Sequence, residues 1–72
     1  MMYNIFMEVI MPKTPRELEK IIKKDGWIFD YQRGSHRHYK HKNKKGKVTI
    51  PFHSKDLPIK TEKQILKQAG LK

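Results

Sequence analysis

At Asp25-Gly26 the spacing of apolar residues changes, and that change limits the fold more than any other feature of the chain. Before it, Leu18, Ile21 and Ile22 recur at i, i+3 and i+4, a single stripe along a helix. After it, Trp27, Phe29 and Tyr31 alternate with Ile28, Asp30 and Gln32, the two-residue period of a strand. A chain that switches period in this way packs a helix on a sheet. The helix start is legible too. Thr14 can cap it, Pro15 suits its first position, and Glu17 can complete a capping box. Gly26 can take the left-handed conformation that ends a helix. The pattern predicts a helix over about residues 15–24, with the strand that follows beginning at Trp27 and Trp27, Phe29 and Tyr31 on one face.

Arg33-Gly34 marks a turn. A second strand is expected over about 35–41 and a third over about 47–51, joined by the polar loop Lys42-Asn43-Lys44-Lys45-Gly46. Tyr39 is the only large side chain of the second strand and is expected to face the helices. His36, His38 and Lys40 then share the open face, while Ser35, Arg37 and His41 share the face of Tyr39. Val48 and Ile50 give the third strand one apolar face. Residues 52–59 read as a loop containing Phe52, His53, Asp56, Leu57 and Pro58. A second helix follows over about 60–68, with Thr61 and Gln64 as candidate caps. Ile65, Leu66 and Ala69 form its buried stripe, and Gly70-Leu71 closes it. The order is α-β-β-β-α. It predicts an α+β domain over residues 12–72, a three-stranded antiparallel sheet with both helices on one face, the layout of a double-stranded-RNA-binding domain. Residues 1–11 read as an N-terminal extension, either an extra strand or a poorly ordered tail, with Met11 as an alternative start.

Charge narrows the partners. Seventeen Lys and Arg against seven Asp and Glu give a net charge of +10 in 72 residues. Such a chain favours a polyanion: RNA, DNA, an acidic protein or a membrane surface. Self-repulsion favours a free monomer. With no cysteine, disulfides, thiolate nucleophiles and zinc–thiolate sites are excluded. That absence fits a reducing compartment, and a cytoplasmic location is expected. No apolar run approaches the ~20 residues of a membrane span. The opening MMYNIFMEVI lacks the basic start and small-residue cleavage site of a signal peptide. The helix caps, the strand alternation and the lack of a basic amphipathic helix argue against a membrane-active peptide.

The charge is concentrated in RGSHRHYKHKNKKGK, residues 33–47, with seven Lys or Arg and no Asp or Glu. His36, His38 and His41 lie inside it. Fixed positive charge attracts phosphodiesters, and imidazoles exchange protons near neutral pH. Gly34 removes side-chain bulk, so that a phosphate can approach the backbone, and Ser35 offers a hydroxyl and an N–H to an oxyanion. His36 is the candidate for proton transfer, as general base on a ribose 2′-OH or as general acid to the leaving 5′-oxygen. His38 is either a substrate contact or the partner acid. Arg37 and Lys40 can stabilise a phosphorane by charge or simply clamp RNA. Lys42, Lys44 and Lys45 are candidate RNA contacts, while His41 and His53 are assigned to structure or phosphate contact. No cysteine or nearby carboxylate completes a metal set with His36-x-His38, and the surrounding cations disfavour a divalent ion, so no metal or cofactor is expected.

Four segments in order carry a resemblance: Asp25-Gly26-Trp27, Arg33-Gly34-Ser35-His36-x-x-Tyr39, Thr49-Ile50-Pro51, and Ile65-Leu66-Lys67-Gln68-Ala69-Gly70-Leu71. Together they resemble the HicA toxin family from about Pro12 to the C-terminus. The resemblance implies a small ribonuclease toxin with a double-stranded-RNA-binding-domain-like fold that cleaves messenger RNA and so blocks translation. It implies a single required histidine after Gly-Ser, which falls on His36, and a HicB-type antitoxin, expected to be acidic, as protein partner. The segment before Met11 departs from the family, whose members usually begin close to the first helix. The rival expectation is a basic RNA-binding module of the same fold that does not cut.

Overall fold

The computed structural model describes residues 13–53 and 56–71, so the N-terminal extension lies outside the described residues. Five elements follow in order: α1 (Pro15–Lys24), β1 (Trp27–Arg33), β2 (His36–His41), β3 (Val48–Pro51) and α2 (Ile59–Gln68). The strands form one antiparallel sheet in the order β1-β2-β3.

α1 has the predicted bounds for the predicted reasons. The Glu17 N–H donates to Thr14 Oγ1 at 3.2 Å, and the Thr14 N–H donates to Glu17 Oε1 at 2.8 Å, a complete capping box. Gly26 follows the Asp25 cap at φ +108°. A Cβ added there would lie 2.7 Å from His41 Nε2, so both conformation and space require glycine. α2 departs from expectation at its start. Its N-cap is Pro58 and no side chain caps it, so neither Thr61 nor Gln64 has that role. Its end is a full Schellman motif. The Leu71 N–H donates to Leu66 O at 2.9 Å and the Gly70 N–H to Lys67 O at 3.0 Å.

Both helices pack on one face of the sheet. Leu18 and Ile22 from α1 and Ile65 and Ala69 from the α2 end meet Trp27, Tyr39, Val48 and Ile50, with Leu57 closing the cluster. All nine are essentially buried. Trp27 is a core residue, and its indole N–H donates to Ala69 O at 3.2 Å.

β1 holds the main surprise. Phe29 pairs with Tyr39, but Tyr31 pairs with His38, so two steps along β1 match one step along β2. Asp30 is the extra residue of a β-bulge. The bulge inverts the alternation beyond it. Trp27 and Phe29 keep the face of Tyr39, whereas Tyr31 turns to the face of His38. The expectation that all three aromatics share one face fails for Tyr31 for this reason.

Candidate functional site

The β1–β2 hairpin sets the site. Arg33 pairs with His36, leaving Gly34-Ser35 as a two-residue turn. Gly34 sits at φ +60°, the glycine-first pattern of a tight hairpin. Nothing lies within 4 Å of a Cβ built there, so the backbone beside it is open to a ligand. Ser35 is half-buried, and its carbonyl accepts the Phe52 N–H at 2.7 Å. That bond carries the β2–β3 ladder one residue past the end of β3.

Alternation along β2 sorts the basic run into two groups. On the helix side, Tyr39 is buried and donates its hydroxyl to Glu19 Oε2 at 2.6 Å. Arg37 donates to the same oxygen at 3.0 Å and to Gln32 Oε1 at 3.1 Å. Its guanidinium lies 4.3 Å from the Phe52 ring centroid. Burial alone would push the Glu19 carboxyl up. The Tyr39 and Arg37 hydrogen bonds and the charges of Lys23 and Arg37 outweigh it and hold the group below the usual carboxylate range. Burial, with Glu19 beside it, pushes the Tyr39 phenol far up.

His41 and Lys44 are also tied into the fold. The Asn43 and Lys44 backbone N–H groups both donate to His41 Nδ1, at 2.9 and 3.2 Å. That nitrogen must be the acceptor, so Nε2 carries the proton and donates to Asp25 O at 2.8 Å. The His41 ring also meets Trp27 edge to face. Lys44 Nζ donates to Asp25 Oδ2 at 2.5 Å and to Ala69 O at 3.0 Å. It thereby sits at the C-terminal ends of both helices, where the backbone dipoles favour a cation. The Lys44 hydrogen bond is the main reason the Asp25 carboxyl lies below its usual range.

The open side is different. His36 is exposed, pairs across the sheet with Arg33 and Pro51, and meets the His53 ring edge to face at a centroid distance of 6.1 Å. His38 stacks on Tyr31 with centroids 4.4 Å apart and planes within 11°. Its Nδ1 lies 3.0 Å from Thr49 Oγ1. Lys47 Nζ is 5.7 Å from the Tyr31 centroid. Among the described residues, Lys40, exposed, makes a distant ion pair with Asp30 at 3.9 Å. Such a contact contributes ~0–1 kcal/mol and leaves the ammonium available. Lys42 and Lys45 are exposed in the loop.

The structure thus brings His36, His38 and Lys40 to one face, with Gly34 and Ser35 at its end, and takes Arg37 and Lys44 to the other side. Two residues reach the open side that the sequence did not place there: Tyr31, expected on the face of Trp27, and His53, assigned only to structure or phosphate contact. Tyr31 arrives there through the bulge. His53 arrives because the ladder bond at Phe52 continues the alternation beyond Pro51, so that His53 falls on the face of His36. A longer third strand, read through Pro51 to Phe52, was the available signal. Among the described residues no three His, Cys, Asp or Glu side chains gather as a metal set. No described helix is long and apolar enough to cross a membrane.

These features define a class: a small basic α-β-β-β-α domain whose open sheet face carries histidines and lysines. Residues 15–71 match the family described as HicA toxin of bacterial toxin-antitoxin, and the chain belongs to that family. Among solved structures it is similar to a chain of the "Toxin-Antitoxin complex from Streptococcus pneumoniae", with 34% identity and a TM-score of 0.71. That likeness covers 83% of this chain and all of the other. Among curated proteins no match is found.

Proposed function

We propose that this protein is the toxin of a toxin–antitoxin pair and an endoribonuclease that cleaves messenger RNA, with His36 carrying proton transfer. One observation supports it above the others: His36 stands exposed on the open sheet face beside a second imidazole, with Lys40 on the same face, while Glu19 and Asp25, the acids that engage Arg37 and Lys44, lie on the helix side. RNA lies along β2, held by Lys40, Lys42 and Lys45, with the Gly34-Ser35 turn beside the phosphate. Lys44 and Arg37 support this surface from below, because their charges are already engaged. The stacked pair Tyr31–His38 offers an aromatic plane to a base, a contact worth ~1–3 kcal/mol where it forms. The reaction needs no metal ion. The protein partner is a HicB-type antitoxin with an acidic surface that covers this same face.

The test is cleavage of a long single-stranded RNA in EDTA by wild type and His36→Ala in parallel. Cutting by wild type alone, with binding retained in the variant, is the expected result. Binding by both without cutting by either would leave a non-catalytic RNA-binding module.

A further inference from the structure

We infer that His53 is a second catalytic residue, the general acid that protonates the leaving 5′-oxygen while His36 acts as general base. This inference rests on the ribonuclease reading above and deepens it. Cleavage by the neighbouring 2′-OH moves two protons. His36, neutral, takes the proton of the ribose 2′-OH, and the 2′-oxygen forms its bond to phosphorus. The phosphorus–5′-oxygen bond breaks, and His53, protonated, gives its proton to the departing oxygen. The products are a 2′,3′-cyclic phosphate and a 5′-hydroxyl. The enzyme is left with His36 protonated and His53 neutral, and exchange with water restores both.

Three observations carry the assignment. His53 is the imidazole the structure sets against His36, at a 6.1 Å centroid distance and nearly perpendicular planes. The Phe52 N–H bond to Ser35 O fixes the backbone next to His53 against the turn that precedes His36. Both rings are exposed, so they can turn to bracket a phosphodiester without unpacking the core. In-line displacement needs its two proton-transfer groups on opposite sides of one phosphorus, each within about 2.6–3.2 Å of its oxygen. His38, the alternative partner two residues along β2, is held in its stack on Tyr31 and by Thr49. His41 has both ring nitrogens engaged by the backbone.

The experiment compares wild type, His36→Ala, His53→Ala and His53→Asn on two substrates. One is ordinary RNA. The other carries sulfur in place of the scissile 5′-oxygen, a leaving group that departs without a proton. On ordinary RNA both His53 variants should lose about 10²–10⁴-fold, the usual share of one proton-transfer group. On the sulfur-linked substrate they should return to near the wild-type rate, whereas His36→Ala stays slow. The alkaline limb of the wild-type pH–rate profile should vanish in His53→Ala. Equal losses on both substrates would make His53 a binding or structural residue and overturn the inference. So would unchanged cleavage of ordinary RNA. Rescue of His36→Ala in place of His53→Ala would overturn the assignment of roles. If wild type cuts neither substrate, the ribonuclease reading itself falls, an outcome distinct from loss of His53's role alone.

Discussion

The two sides of β2 carry the same kinds of side chain and use them in opposite ways. Toward the helices, Arg37, Tyr39 and His41 spend their polar atoms on Glu19, Gln32, Asp25 and loop backbone. Toward solvent, His36 and Lys40 have no close partner of that strength among the described residues, and His38 shares its ring with Tyr31. A run of cations is therefore not one electrostatic object. Glu19 and Asp25 anchor two of its seven Lys and Arg side chains, Arg37 and Lys44, while Lys42 and Lys45 stand exposed to meet an anion.

The comparison can be broken most sharply at His36. His36→Ala should reduce RNA cleavage about 10²–10⁴-fold while leaving the melting temperature unchanged, because the ring is exposed and outside the core. A large fall in melting temperature would place His36 in the fold instead. Next in size is Glu19→Ala. It removes the acceptor of both Tyr39 and Arg37 and should cost roughly 1.5–3 kcal/mol in urea unfolding, the range for hydrogen bonds to a charged group. An unchanged midpoint would mean that the helix side is no better anchored than the open side.

The lysines sharpen the contrast further. Lys42→Met and Lys45→Met should each reduce the salt dependence of RNA binding by about one counterion, with stability unchanged. Lys44→Met should do the reverse, lowering the melting temperature and leaving the salt slope alone. Equal slopes for all three would erase the distinction. The smallest effect is on pH dependence. The Glu19 carboxyl is held below its usual range in the folded chain. Its contribution is therefore fully present above the ordinary carboxylate value of ~4.3, and is lost as pH falls through the lowered folded value. Acid unfolding should be less steep in Glu19→Gln, and an identical acid limb would count against that anchor.

What could be read in advance follows from how local the signals are. Thr14-Pro15-Arg16-Glu17 and Gly70-Leu71 specify their caps within four residues, so α1 and the end of α2 were legible. The faces of β2 followed from Tyr39 alone. The bulge was not legible, because Asp30 alternates normally in sequence and only the pairing with β2 exposes it as extra. The engagement of Lys44 was hidden for a related reason. Its partners lie 19 and 25 residues away, and nothing in a lysine-rich loop distinguishes the one that turns inward. The nearness of His53 to His36 likewise depends on β2–β3 pairing, not on spacing along the chain.

The bulge at Asp30 also bears on self-association. β1 is an edge strand, and a straight seven-residue edge is a template on which a second chain can zip. The extra residue bends and twists that edge and interrupts its row of backbone donors and acceptors. On the far edge, the Gln68 side chain accepts the Thr49 N–H at 3.2 Å and occupies one of the few outward groups of β3. Deleting Asp30 should keep Tyr31 opposite His38 on the open face, now by plain alternation from Phe29, and leave a straight edge that sediments as oligomers with rising concentration. The residue that sets the register of Tyr31 thus also interrupts the edge on which a second chain could add a strand.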